Sequence, residues 1–245
     1  MIPEISATQL LHTPPFIAFP QPQHIGWFIK RLNRFAVLVD LDEGIVQAHL
    51  PNSGRMTELL VEGHKVVLIP MVGALRKPHF DMVLVEYQGH WVSVDSRIPS
   101  ALAHTAFVQQ AIPSWATFTD VRREVVYGES RLDIELRSDN RRALIETKSV
   151  NLVEDGIALF PDAPTTRGQR HLRELIRAVE EGIPAGVLFI IQRNDARVFR
   201  PFDAADPEFG RWLRIAAKAG VAVEAYGCSV TPEVMVLDAQ VPVEL

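Results

Sequence analysis

The chain has 245 residues, of which 47% are hydrophobic and 22% are charged, and its formal net charge is −5. This length allows one large domain or two modest ones, and the composition is that of a globular protein. The negative charge argues against a strongly basic, DNA-coating protein, but it leaves room for cations gathered on one face.

The N-terminus, the cysteine count and the longest apolar run indicate the compartment. No lysine or arginine precedes Lys30, and the single cysteine, Cys228, cannot form an internal disulfide. The longest apolar run, residues 185–191, is far too short to span a membrane. We therefore expect a cytoplasmic protein with no secretory signal and no membrane contact.

Residues 1–22 are predicted to be an N-terminal extension. Pro3, Pro14, Pro15 and Pro20 break any helix there, and few charged residues accompany them. Such an arm can lie on the surface of its own subunit or on a partner subunit, so a homo-oligomer is compatible with it.

Residues 23–98 are predicted to form a small barrel. Short runs of alternating or β-branched apolar residues are separated by turn sequences such as Asp42-Glu43-Gly44. The predicted strands are 35–41, 45–50, 65–70, 81–87 and 91–95. Five such strands favour an oligonucleotide-binding (OB) barrel, a fold that holds either nucleic acid or sugar.

The rest of the chain is predicted to be a mixed α/β domain, residues 121–245, joined to the barrel by a helical connector, residues 99–120. Strands are expected at 121–127, 132–136, 143–150, 187–192 and 221–226. Helices are expected at 166–181 and 207–219, because apolar residues recur there at helical spacing and each segment is followed by glycine. Strands followed by alternating helices and strands indicate a central sheet.

The hairpin from Arg131 to Val150 carries the strongest chemical signal. A turn centred between Asp139 and Asn140 would place Asp133 directly opposite Glu146, and Lys148 shares the face of Glu146. Opposed carboxylates repel one another, which is poor for stability but suits a divalent cation. The alternative interpretation is a solvated strand face in which Asp133 pairs with Lys148 or Arg131.

This hairpin predicts a Mg²⁺ or Mn²⁺ site for phosphodiester chemistry. Asp133 and Glu146 would bind the metal, with the backbone carbonyl of Thr147 as a third ligand. The metal would lower the pKa of a bound water, and Lys148 would orient that water or stabilise the charge on the phosphate.

Several sequence blocks resemble the sugar fermentation stimulation protein (SfsA) family from about Ile29 to the C-terminus. The supporting blocks are Pro51-Asn-Ser-Gly-Arg-Met56, Arg123-Glu-Val-Val-Tyr-Gly128, Glu146-Thr-Lys-Ser-Val150, Leu152-Val-Glu-Asp-Gly156, Phe160-Pro-Asp-Ala163 and Arg167-Gly-Gln-Arg-His-Leu172. Their common order is far more specific than any one of them.

The resemblance implies a DNA-binding protein linked to the regulation of sugar catabolism. The N-terminal half is similar to an OB barrel. The C-terminal half looks like the PD-(D/E)xK nuclease superfamily, with Asp133, Glu146 and Lys148 at the matching positions. The sequence departs from the motif at Leu132-Asp133, which lacks the proline, and residues 1–22 have no recognised family counterpart.

Further candidates surround this centre. Glu124 could be an additional metal ligand, as some related nucleases have an upstream glutamate. Gln169 lies where many of these nucleases carry a glutamine near the metal, but it could instead complete a capping box with Thr166. Arg167 and Arg170 could bind phosphates or belong to a solvated helix face.

In the barrel, a cationic track is predicted to bind nucleic acid. It consists of Lys30, Arg31, Arg34 and Arg55. We expect a metal-dependent nuclease acting on DNA or RNA. One alternative is a non-catalytic DNA-binding regulator of sugar catabolism that retains a nuclease fold, and another is a barrel that recognises an oligosaccharide.

Overall fold

The computed structural model of the chain describes residues 13–71 and 79–245. The first strands are β1 (Phe16–Ala18), β2 (His24–Asn33), β3 (Ala36–Leu41), β4 (Gly44–His49), β5 (Lys65–Pro70), β6 (Phe80–Tyr87) and β7 (His90–Ser93). They are followed by helix α1 (Ile98–Val108), a 3₁₀ turn (Pro113–Trp115) and strands β8 (Asp120–Tyr127), β9 (Ser130–Ser138), β10 (Arg141–Val150), β11 (Leu152–Glu154) and β12 (Ile157–Phe160). The last elements are α2 (Thr166–Glu180), β13 (Ala185–Ile191), β14 (Val198–Pro201), α3 (Pro207–Ala219), β15 (Ala222–Val230) and β16 (Val234–Val241).

The N-terminal half is a closed five-stranded barrel. Its strands pair in the order β4-β3-β2-β5-β6, and a parallel pairing of His49 with Asp81 joins β4 back to β6. Alternate residues such as Val37, Val66 and Met82 fill the interior. The predicted OB-type barrel is therefore confirmed, with β7 added beside β6.

The composition of the barrel differs from the sequence prediction in one strand. The sequence prediction counted residues 91–95 as the fifth strand and omitted β2, which is in fact central to the barrel. Two irregularities in its pairing with β3, at Phe28/Lys30 and at Arg31/Asn33, interrupt the alternation that marks a strand. Gly26 also lowers its apparent β-propensity, although a Cβ there would lie 2.6 Å from the carbonyl oxygen of Asp40.

The C-terminal half is built on a seven-stranded sheet in the order β1-β16-β15-β13-β10-β9-β8. The central strands β10, β13 and β15 run parallel, and the outer strands pair antiparallel. Along β13, Phe189 packs with α2 and α3 on one face, while Ile190 packs with α1 on the other. Burial on both faces explains why this strand is a continuous apolar run, and the predicted mixed α/β class is confirmed.

Part of the predicted extension belongs to this sheet. Residues Phe16–Ala18 pair antiparallel with β16, and Phe19 is buried in the core beside α1. Among the described residues 13–22, the prolines allow an edge strand, because an edge position leaves some backbone N–H groups without a ladder partner. Residues 1–12 of the predicted extension lie outside the described residues.

The predicted connector also contributes to the core. Leu102 and Phe107 of α1 share one hydrophobic cluster with Val67 of the barrel and Ile145 of the sheet. The two halves of the chain are thus packed on a common core. None of the described helices is both long enough and apolar enough to cross a membrane.

Candidate active site

The register of the β9–β10 hairpin confirms the pairing on which the site was predicted. The ladder runs from Arg141 opposite Ser138 to Ile145 opposite Ile134, and the turn contains Asp139 with a φ of 47°. The next step of this register brings Asp133 to the level of Glu146. At this level the strands are joined by the side chain of Asp133. Its Oδ2 accepts hydrogen bonds from the Thr147 backbone N–H (2.8 Å) and from Thr147 Oγ1 (2.5 Å).

Glu146, Lys148 and His171 form a buried cluster beside Asp133. Their relative exposures are 3%, 8% and 1%, respectively. Lys148 Nζ donates a hydrogen bond to Glu146 Oε1 at 2.5 Å, and His171 Nδ1 contacts the same oxygen. The other oxygen, Glu146 Oε2, is buried and has no hydrogen-bond partner in the described part of the chain. A buried carboxylate oxygen without a partner is costly, so this atom requires an explanation.

Burial and neighbouring charges shift the pKa values of the two carboxyl groups in opposite directions. Burial, reinforced by the nearby charge of Glu146, raises the pKa of Asp133. Burial would also raise the pKa of Glu146, but Lys148 and His171 outweigh it and hold that pKa below its ordinary value. Neighbouring carboxyl groups whose pKa values are shifted in opposite directions are typical of functional clefts.

These groups lie in a cleft of about 430 Å³ between the barrel and the sheet. The sheet contributes Asp133, Glu146, Thr147 and Lys148. The loop before α2 and its first turn form another wall, from Phe160 to Thr165 together with Arg167. The barrel supplies Arg34 and the loop residues Asn52, Ser53 and Gly54. The solvated-face interpretation is wrong, because Glu146 and Lys148 are buried at a cleft.

A chain of hydrogen bonds fixes the barrel wall against the sheet. Asn52 Nδ2 donates to Asn151 Oδ1 at 3.2 Å, and Asn151 Nδ2 donates to the carbonyl of Ser93. Ser93 Oγ donates to Gln192 Oε1 at 2.9 Å, and Gln192 Nε2 donates to Ser149 Oγ at 2.8 Å. Because this network crosses between the halves three times, it holds the walls of the cleft in one orientation.

The residues of the predicted cationic track fall into three groups. Arg34 lines the cleft. Arg31 donates to the backbone carbonyls of Asn33, Arg34, Asn52, Gly54 and Arg55. These bonds occupy its guanidinium, so Arg31 organises the loop that forms the barrel wall. Lys30 and Arg55 are exposed on the barrel outside the cleft lining, although Arg55 borders a neighbouring depression with Arg31 and Arg34.

The helix candidates are likewise separated by the fold. Arg167 lines the cleft, whereas Gln169 donates to both carboxylate oxygens of Asp206, at 3.0 and 3.1 Å. The N-cap of α2 is Thr165, whose hydroxyl accepts from the Gly168 backbone N–H, so the predicted cap at Thr166 is wrong by one residue. Arg170 is not among the residues that line the cleft.

Glu124 lies apart from the cluster. It is exposed on the edge strand β8, adopts a φ of 57° and forms an ion pair with Arg131 at 3.6 Å. The structure therefore does not bring this residue to the cleft, and the cluster contains two carboxylates. Among the described residues, no three His, Cys, Asp or Glu side chains converge as a metal-binding group.

His171 was not predicted from the sequence. It lies within one of the blocks that resemble the SfsA family, one position before Leu172, and both side chains are buried. The signal that could have identified it is its place on the buried side of a helix otherwise lined by leucines and alanine, because a fully buried histidine needs a polar partner. Its partner, Glu146, is on another element and is distant in sequence.

The protein belongs to a two-domain class. An OB barrel packs on a mixed α/β domain, and an acid–lysine cluster lies at their junction. Two family models match consecutive parts of the chain: the SfsA N-terminal OB domain over residues 29–94, and the sugar fermentation stimulation protein RE domain over residues 97–234. The chain belongs to the SfsA family.

Curated relatives and a solved structure agree with this assignment. The sugar fermentation stimulation protein homolog of Desulforamulus reducens is 45% identical over 218 residues, which cover 89% of this chain and 91% of the relative. The homolog of Natranaerobius thermophilus is 47% identical over 212 residues, covering 85% and 88%. The structure of Pyrococcus furiosus SfsA in complex with Ca²⁺ is 30% identical, with a TM-score of 0.85, and the match covers 92% of this chain and 97% of that one.

Proposed function

We propose that this protein is a nuclease that hydrolyses phosphodiester bonds of DNA or RNA and depends on a divalent cation, Mg²⁺ or Mn²⁺. The observation that carries the proposal is the convergence of Asp133, Glu146 and Lys148 at one cleft, where Glu146 Oε2 has no hydrogen-bond partner. The resemblance of the C-terminal half to PD-(D/E)xK nucleases rests on the same three residues. We place this activity in the cytoplasm.

The residues at the cleft fit a hard divalent cation. Carboxylate oxygens are the preferred ligands of Mg²⁺ and Mn²⁺, and both hydrogen bonds to Asp133 fall on Oδ2. Asp133 and Glu146 would hold the ion, with the Thr147 carbonyl as the third protein ligand. A metal-bound complex of the Pyrococcus furiosus relative supports a cation site in this family. When bound, such an ion makes water more acidic and offsets charge on a phosphate.

Other side chains of the cleft stabilise charge and bind phosphates. The ammonium of Lys148, held in place by Glu146, stabilises negative charge on the phosphate oxygens through a hydrogen bond from Nζ. Arg167 and Arg34 bind the neighbouring phosphates from opposite walls. In the reaction, a water oxygen bonds to phosphorus, the bond from phosphorus to the leaving sugar oxygen breaks, and the proton from the water ends on bulk solvent or on that leaving oxygen.

A cleavage assay with charge-removing variants tests this function. Purified protein is incubated with single- and double-stranded DNA and RNA in Mg²⁺, in Mn²⁺ and in chelator. We expect cleavage that requires the cation and falls at least about 100-fold in Asp133→Asn and Lys148→Ala, the scale of losing one preorganised electrostatic contact. The matched controls are Asp42→Asn and Lys218→Ala, which change the same residue types at exposed positions outside the cleft.

One structural observation favours a second function. The described residues include no group of three His, Cys, Asp or Glu side chains arranged to hold a metal ion, which suits a DNA-binding regulator that has kept the fold without turnover. Nucleic-acid binding that chelator does not change, with no cleavage of any substrate, would support the regulator function over the nuclease function. Failure to retard any nucleic acid at low salt would contradict both functions and favour the oligosaccharide-binding barrel.

A further inference from the structure

His171 is positioned by contacts on both sides of its ring. Its Nδ1 contacts Glu146 Oε1, and its Nε2 faces Arg167 Nε at 3.4 Å. The side chain is 2% exposed, and its helix neighbours Leu172 and Leu175 are fully buried against the sheet. This packing leaves the imidazole little freedom to turn away from Glu146.

The chemistry of these neighbours determines which nitrogen carries the proton. A guanidinium can only donate a hydrogen bond, so Arg167 requires Nε2 to be the acceptor. A carboxylate can only accept, so Glu146 requires a hydrogen on Nδ1. Both contacts are satisfied when Nδ1 carries a hydrogen toward Glu146 and Nε2 accepts from Arg167.

This arrangement leaves one oxygen of Glu146 available. Lys148 and His171 both occupy Oε1, and Oε2 is buried without a hydrogen-bond partner. Two donors on one oxygen fix the carboxylate plane and therefore fix the position of the other oxygen. A ligand held in advance binds a cation with a smaller loss of conformational freedom.

We propose that His171 is a positioning residue that orients Glu146 for divalent-cation binding, and that Arg167 sets its tautomer from the phosphate-binding wall of the cleft. This inference rests on the proposed function, because it assigns Glu146 to the cation. His171 itself does not touch the cation or the substrate. Partners of metal ligands typically change cation affinity about 10- to 100-fold when they are lost.

The test is a set of substitutions that keep or remove the donor at Nδ1. In His171→Asn, the amide nitrogen can take the place of Nδ1, whereas the longer side chain of His171→Gln places its amide where Nε2 lies. His171→Leu keeps an apolar side chain of similar size and removes both nitrogens. The matched control is His104→Asn, on α1 outside the cleft lining.

Dissociation constants for Mn²⁺ and Ca²⁺ are measured on the full chain by titration calorimetry, with thermal melting in chelator to confirm folding. We expect His171→Gln and His171→Leu to weaken cation binding at least about 10-fold, and His171→Asn to stay within about threefold of the wild type. The pattern separates positioning from general packing, since Asn fills the site less well than Leu.

The outcomes distinguish failure of the positioning role from failure of the proposed nuclease function. If the wild type binds the cations and all three variants bind them equally well, the positioning role is wrong while the nuclease proposal stands. Equal weakening in Asn, Gln and Leu would also overturn it, because packing alone would then explain the loss. If the wild type binds neither cation at millimolar concentration, the proposed function and this inference both fail.

Discussion

At the residue scale, Asp133 has an ionised form that the fold disfavours. Burial, with the charge of Glu146, raises its pKa. An acid with a raised pKa holds its proton more tightly in the folded chain than in the unfolded one, so its ionisation lowers the free energy of unfolding. The free energy of unfolding begins to fall as the pH rises above the ordinary Asp pKa. The decrease reaches its full size once the pH has passed the raised pKa of Asp133 in the folded chain.

Asp133→Asn is therefore expected to stabilise the metal-free protein. The amide oxygen can still accept from Thr147, while the buried charge is gone. About 1 kcal/mol of stabilisation would raise Tm by about 2–4 °C in a chain of this size. Calorimetry in chelator at neutral pH would measure the gain, which should shrink as the pH falls toward about 3.9, the ordinary Asp pKa. A lower Tm for the variant at neutral pH would show that the carboxylate contributes stability instead.

Sequence reasoning identified the acid–lysine cluster because its geometry is local. Asp133, Glu146 and Lys148 lie on one hairpin, so the turn at Asp139 and the alternation of side chains suffice to bring them together. His171 and Arg34 could not be placed in the same way, because they arrive from α2 and from the barrel. Their contribution depends on tertiary packing that no spacing in the sequence encodes.

At the element scale, helices were predicted more accurately than strands. The bounds of α3 match the sequence prediction, because Asp206 caps its first turn and Gly220 ends it with a φ of 100°. Short strands such as β11, β12 and β14 were not predicted, since three or four residues show too little alternation to be distinguished from a loop. The longer β16 was also missed, as its exposed residues, including Asp238 and Gln240, fall next to one another.

The cap of α2 offers a test of how this helix is held. Thr165 Oγ1 accepts from the Gly168 backbone N–H at 3.0 Å. We expect Thr165→Ala to cost about 1 kcal/mol, the usual value of an N-cap, and to lower Tm by about 2–4 °C. Thr166→Ala, one residue further on, is the matched control and should change Tm by less than half as much. Equal losses in the two variants would show that the hydrogen bond of Thr165 is not what anchors the helix.

At the scale of the whole molecule, the barrel and the sheet act as one scaffold. The hydrophobic cluster around α1 includes Val67 from the barrel and Ile190 from the sheet, and the polar network from Asn52 to Ser149 crosses the same junction. The cleft therefore has walls fixed from both sides. This arrangement explains how a protein with a net charge of −5 can present arginines and a lysine around one concave site.

The central claim is that Asp133 and Glu146 bind a divalent cation at this cleft. The most direct measurement is the anomalous diffraction of crystals of the full chain soaked in Mn²⁺. We expect one strong anomalous peak within direct-coordination distance of a carboxylate oxygen of each residue, and its loss in Asp133→Asn crystals treated identically. Crystals of the wild type saturated with Mn²⁺ that show no peak in the cleft, or peaks at other carboxylates alone, would contradict the account.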